Sequence, residues 1–393
     1  MPEPLHELTD RERELLGEAE ELAARYFEPR AAEHDRTGRF PTENYDVLKE
    51  RRLMGLTVPA EYGGQGISPL AYSLWLRRIA KGCAATALTF NMHANVMRFL
   101  ALLARPEQQR RYFGWVVERQ AVFASFGSEP GVSTSRSRHY DSLATCVPGG
   151  AELTGTKHFC SLVGYADYYW VWTVTDDRGT ITDRLINCVI TSDRPELTIL
   201  PVWDGLGMRA TASDSLRIER CFVSQEDIVP SGGVITSGII MGFSLGYATV
   251  YTALAEASLE YVTRHLRGTV VRGEASPLAQ DPVLRRQVAE LRVQVEAAKQ
   301  LTYEAGRAMA KPDPGLRALI VSEAKYFAGE VALEVTSRAL GLFGGRGALR
   351  SLPLERYFRD ARTTTLMPPN NERMLQNIAA AELDSAAVED AQA

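Results

Sequence analysis

Leu340-Gly341-Leu342-Phe343-Gly344-Gly345-Arg346-Gly347 runs into Pro353-Leu354-Glu355-Arg356, then Arg359-Asp360-Ala361-Arg362, then Pro368-Pro369-Asn370-Asn371. The residues before it, Leu316 to Leu340, have the spacing of a long helix, and the glycines end it. A glycine cluster after a helix reads two ways. It is an ordinary C-terminal cap, or a turn whose missing side chains let backbone approach a phosphate group.

Working back from that block, helical spacing extends to Val234, with Asp281-Pro282 as a helix start and Leu284, Val288, Leu291, Val295 and Ala298 on one face. Before it the texture is different. Val122–Phe126, Ala151–Thr154, Tyr168–Val174, Leu185–Ile190 and Leu216–Val223 are short, mostly rich in β-branched and aromatic residues, and bounded by turn residues. Earlier still, Thr9 and Glu12 form a capping box ahead of a helix of about 25 residues. Further helices are expected at Glu43–Arg52, Leu70–Ala80, Ala84–Leu103 and Pro106–Val117. The expected architecture is α+β and multidomain: an N-terminal helical domain (1–120), a central β-barrel or sandwich domain (121–232) and a C-terminal four-helix bundle (233–393). No strand–helix alternation appears, which argues against a Rossmann sheet and a nicotinamide site.

With 393 residues and 45% hydrophobic composition the chain has material for an extensive core. A net charge of −5 with scattered Lys and Arg gives no basis for binding nucleic acid. Met1–Gly17 lacks the apolar core of a secretory signal, so a cytoplasmic location is expected. Val234–Ala255 carries no charge over a length that could span a bilayer. Gly, Ser, Thr and Tyr nevertheless fill about half of it, which favours a buried helix and no membrane contact. Cys83, Cys146, Cys160, Cys188 and Cys221 lack metal-site spacing, so no metal is expected.

Four segments resemble the acyl-CoA dehydrogenase family, whose three-part order is the same. Ser128-Glu129-Pro130-Gly131, after Phe126, resembles the Thr-Glu-Pro-Gly signature that meets the flavin, with Thr134 at the family's following serine, which implies Phe126, Ser128 and Thr134 as cofactor contacts. Gly155-Thr156-Lys157-His158-Phe159-Cys160-Ser161 resembles Gly-x-Lys-x-Trp-Ile-Thr; the resemblance gives Phe159 the role of covering the flavin and Ser161 that of approaching flavin N5. Leu206–Asp214 resembles a largely structural turn. The opening block resembles the C-terminal signature, which implies that Gly344 and Gly345 meet the FAD pyrophosphate, often that of a neighbouring subunit, with Arg264 and Asn370 as further cofactor contacts.

The resemblance implies FAD (or FMN) and a dimer or tetramer. It fails at the base. The usual Glu position, eight residues beyond Asp360, falls on Pro368, and the alternative position on the central helix falls at or near Ile239. Glu256 lies 17 residues beyond Ile239, about 25 Å along a helix. Glu372, and His158 or His93 for proton transfer, are the remaining candidates. Three functions follow: oxidation of an acyl thioester of coenzyme A or a carrier protein, with an atypical base and an electron-acceptor flavoprotein or O2; a monooxygenase using reduced flavin, O2 and a separate flavin reductase; or a noncatalytic flavin- or thioester-binding subunit.

Overall fold

Thr9 opens the first helix as the capping box requires: its side chain accepts from Glu12 N, and the Glu12 carboxylate accepts from Thr9 N at 2.9 Å. The structure is a computed structural model describing residues 3–132 and 139–390. Helix α1 (Asp10–Leu22) passes through a π turn (Ala23–Phe27) into α2 (Glu28–Thr37). The rod therefore runs about three residues beyond the sequence expectation. Its last segment is polar on most faces and buries only Ala31 and His34, so it carries little apolar periodicity. Helices α3 (Thr42–Glu50), α4 (Pro69–Gly82), α5 (Ala84–Leu103) and α6 (Pro106–Arg119) complete the first layer, with α4 and α5 almost wholly buried.

The central layer is one eight-stranded sheet: β1 (Phe123–Phe126), β2 (Leu143–Val147), β3 (Gly150–Lys157), β4 (Tyr168–Thr175), β5 (Leu185–Thr191), β6 (Leu197–Leu200), β7 (Ser215–Ser224) and β8 (Ile228–Pro230), ordered β6-β7-β3-β2-β4-β5-β8 with β1 beside β4. Strands β1 and β2 share one edge of β4 in succession. Phe123–Phe126 pairs in parallel with Tyr168–Val171, and Leu143-Ala144 then pairs in parallel with Val174-Thr175. Between the two contacts, opposite Trp172 and Thr173, the chain leaves the sheet at Gly127 and returns at Ser142. Gly127, Ser128 and Tyr140 of that interruption line the site.

The third layer begins with a short helix (Gly233–Ser237) closed by Gly238, after which α7 (Met241–Gly268) sets off. The uncharged stretch is thus broken near its start, and among the described residues no helix is long and apolar enough to cross a membrane. Helices α8 (Pro282–Met309) and α9 (Pro314–Phe343) pack with α7, and α4 packs against α7 and α8. Asp281 caps α8 by accepting from Val283 N at 2.7 Å, and Leu291, Val295 and Ala298 are buried on its inner face. The pins between layers are ionic. Glu256 of α7 is buried with Arg77 of α4 and lies 3.2 Å from Lys299 of α8. Burial pushes its carboxyl up, but the charges of Arg77, Lys81 and Lys299 outweigh that and leave it at about 2. Glu256 is committed to structure. Helices α10 (Leu354–Thr364) and α11 (Asn371–Asp390) finish the chain, and the alanine-rich tail continues α11 as helix to Asp390.

Candidate functional site

Glu129 and Lys157 belong to different motifs, 28 residues apart, and the fold closes them into a fully buried ion pair. The Glu129 carboxylate also accepts from Ser142 Oγ at 2.5 Å and Asp141 N at 2.5 Å, while Lys157 Nζ donates to Ser142 Oγ at 2.7 Å. Thr173 Oγ1 donates to Ser142 O at 2.8 Å. Burial pushes Glu129 up; the Lys157 charge and these hydrogen bonds hold it below the usual carboxylate range. The network fastens both ends of the 127–142 excursion to β4. Gly155 permits it: a Cβ there would lie 2.4 Å from Ser142 Cβ, and its φ is 157° at a register shift in β3.

Beyond Lys157 the chain turns sharply. Phe159 has φ 54°, a left-handed conformation costly for an aromatic residue, and the residue is 55% exposed, its ring beside that of His158 with centroids 4.0 Å apart. His158 pairs through Nδ1 with Ser215 Oγ at 2.5 Å. Ser161 is nearly buried, and its Oγ lies 2.8 Å from Ser213 Oγ, which lies 2.7 Å from Thr211 Oγ1.

Phe159, Ser161, Ser128, Ser213, Trp172 and Trp203 line one side of a cavity of about 840 Å³ between sheet and helices. Met241, Phe243 and Tyr247 of α7, with Leu366, Met367, Pro368 and Pro369, line the other. Among the described residues no Asp or Glu lines it, and Arg373, at the start of α11, is its one charged residue. Pro368 is itself part of the wall. Ile239 is half-buried and not on it, although Gly238 and Ile240 are. Glu372 is exposed and off the wall. Behind the wall, Lys325 of α9 is fully buried, with Nζ donating to Met367 O at 3.2 Å and to Pro369 O, so it brackets Pro368. Burial alone brings its amine down to about 7.

The other described site residues expected from the sequence do not line this cavity. Phe126 is 1% exposed and packs on Tyr169 in the core, since β1 is covered on both faces. Thr134 lies outside the described residues. Arg264 is exposed, its guanidinium 5.7 Å from the Tyr261 ring. Gly344 and Gly345 end α9, and a Cβ on either would meet no atom within 4 Å. Asn370 caps α11, its Oδ1 accepting from Arg373 N at 3.0 Å. His93 is structural: Phe123 N donates to its Nδ1 at 3.0 Å, which leaves Nε2 to donate to Met54 O at 2.8 Å, and burial lowers it to about 4. The Leu206–Asp214 turn is clamped to α10. Asp360 Oδ1 accepts from Met208 N at 2.6 Å, and a Cβ on Gly207 would lie 2.3 Å from Arg359 O. Arg209 is likewise structural, donating to Asp35 O at 3.0 Å.

Sequence reading missed Lys157, Glu129, Lys325, Tyr247 and the two tryptophans of the cavity. For the Glu129–Lys157 pair a signal existed, since each motif carries one charge among turn and apolar residues. Lys325 has none, because a lysine on a long helix reads as solvated.

The family model for the acyl-CoA dehydrogenase C-terminal domain matches residues 238–383, and that for the N-terminal domain matches residues 9–119. A short-chain specific acyl-CoA dehydrogenase of Clostridium acetobutylicum is 27% identical over 368 residues, covering 92% of this chain and 95% of its own. Butyryl-CoA dehydrogenase from Megasphaera elsdenii superposes with TM-score 0.88 at 25% identity, covering 96% of this chain and 99% of its own. TdsC from Paenibacillus sp. A11-2, a dibenzothiophene monooxygenase, superposes in its FMN-bound form with TM-score 0.86 at 26% identity, covering 95% and 98%.

Proposed function

Because this chain belongs to the acyl-CoA dehydrogenase family, we propose that it is a flavin-dependent oxidoreductase whose present chemistry is oxygen transfer from O2 to an uncharged, largely apolar small molecule. The supporting observation is the cavity wall: no carboxylate lines it among the described residues, and Pro368, the position the family resemblance gives to the base, is part of it. A thioester dehydrogenase without a base has no route for that proton. Oxygen transfer does not require it.

The cavity fits a flavin ring. Phe159 is held more than half exposed by a strained backbone, an arrangement that suits a flat aromatic surface waiting to be covered, and Ser161 lies two residues away with its hydroxyl in a polar chain. A bound FAD or FMN would supply electron transfer and, when reduced, activation of O2. Ser161 and Ser128 would orient the ring's polar edge and Phe159 its face. Phe243, Tyr247, Leu366 and Met367 keep the substrate side apolar and exclude water. The chain has no nicotinamide fingerprint, so this reading requires a separate flavin reductase. The open Gly344-Gly345 turn supports the FAD form, bound across a homo-oligomer, because its bare backbone can serve a second copy's pyrophosphate.

The test is a pair of reactions on the flavin-loaded protein. Anaerobic mixing with a panel of acyl-CoAs is expected to leave the visible flavin absorption unchanged. Supplied with a reductase, a nicotinamide and 18O2, the protein is expected to place labelled oxygen in an apolar aromatic or sulfur-containing acceptor. Rapid bleaching by an acyl-CoA in the first reaction would restore the dehydrogenase reading.

A further inference from the structure

We propose that Ser213 and Thr211 form with Ser161 a reversible chain of three hydroxyls, through which Ser161 offers the flavin's reactive nitrogen either a proton or a lone pair. The inference rests on the reading that the flavin ring lies in the cavity beside Ser161.

Each hydroxyl has one proton to donate and lone pairs with which to accept. In one order Thr211 Oγ1 donates to Met208 O at 2.9 Å, Ser213 donates to Thr211 at 2.7 Å, and Ser161 donates to Ser213 at 2.8 Å. Ser161 then faces the cavity with a lone pair. In the reverse order Thr211 donates to Ser213, Ser213 to Ser161, and Ser161 points its proton into the cavity. Reversal withdraws the Thr211 proton from Met208 O. That carbonyl stays satisfied, because Trp203 Nε1 donates to it at 3.0 Å and Thr211 N at 3.2 Å. Neither order strands a buried polar atom, and the change needs only three hydroxyl rotations. A ring nitrogen without a proton requires a donor and one with a proton requires an acceptor, so the chain matches both oxidation states. A solitary buried serine could match only the first without leaving its own proton unpaired.

Ser213 and Thr211 are positioning residues here, and their effect is read on the bound flavin under argon, independently of oxygen transfer. Ser213→Ala leaves the lone-pair order of Ser161 without an acceptor, so the reduced-to-oxidised ratio at fixed potential is expected to fall about tenfold, a shift of about 30 mV for a two-electron couple. Thr211→Val is expected to shift the potential in the same direction, and Thr211→Ser, which keeps the hydroxyl, to leave it unchanged. In a Ser161→Ala background Ser213→Ala should no longer act. Unchanged potentials in Ser213→Ala and Thr211→Val would overturn the proposal, as would equal shifts in the Ser161 and Ser161→Ala backgrounds. Failure of 18O transfer with these shifts intact would count against the monooxygenase reading alone.

Discussion

Lys157 and Lys325 are both fully buried, one on each side of the cavity, and the protein compensates them differently. Lys157 faces Glu129, and the pair is shared with Ser142 and Thr173, so the sheet side is braced by opposite charges with their hydrogen bonds filled. Among the described residues Lys325 has as polar partners only the carbonyls of Met367 and Pro369, with the Tyr247 ring 5.6 Å from Nζ, and burial leaves it on the edge of neutrality. A lysine holding a carboxylate must stay charged. One holding carbonyls serves either as cation or as amine, because both forms donate. The sheet wall is therefore electrostatically fixed by a paired charge, whereas the charge behind Pro368 comes and goes with pH.

Breaking the first side should have the largest effect. Lys157→Met leaves Glu129 buried without a counter-charge, and unfolding in urea should show a loss of about 3–5 kcal/mol. The double variant Glu129→Gln/Lys157→Met should recover most of that loss, and a double variant no better than the single one would show that the pair has a role beyond mutual compensation. On the second side the expected effect depends on pH. Lys325 has a folded value of about 7 against roughly 10.4 in an unfolded chain, so between these values the unfolded state binds more protons and stability rises with pH. Below about pH 7 the cost of burying the charge is fully present. The stability of Lys325→Met relative to the parent should therefore improve by on the order of 3 kcal/mol between pH 10 and pH 7, measured by denaturation at both values. The smallest change is Glu372→Gln, on an exposed residue away from the cavity, which should leave turnover within error. A hundredfold loss there would return the reaction to proton abstraction by a relocated base.

Legibility in the sequence followed the same division. Helices with one covered face were readable by period, as at Pro282–Met309, and elements buried on all sides, such as Tyr168–Thr175, by their dense β-branched and aromatic composition. Strand β6 was not, because Leu197–Leu200 is an edge strand with no buried residue, and β8 is three residues ending in proline. Phe126 was expected among the cofactor contacts, yet strand geometry turns it into the core. Phe159 and Ser161 were identified by motif, but their partners Ser213 and Trp203 come from a turn about fifty residues on, a proximity set only by β3–β7 pairing. Lys325 was illegible because its role lies in what packs around it.

The succession of β1 and β2 along a single edge of β4 gives the site an architecture of its own. The 127–142 connection departs from and rejoins the same ladder, so residues can be added to or removed from its middle without changing the register of any strand pair. Such a seam can vary in length at low cost to the fold while its anchors, Glu129 and Ser142, stay tied to Lys157. Gly127, Ser128 and Tyr140 of this connection line the cavity, so connections of other lengths grafted between Gly131 and Tyr140 are expected to change what it admits, measured as a shift in acceptor preference.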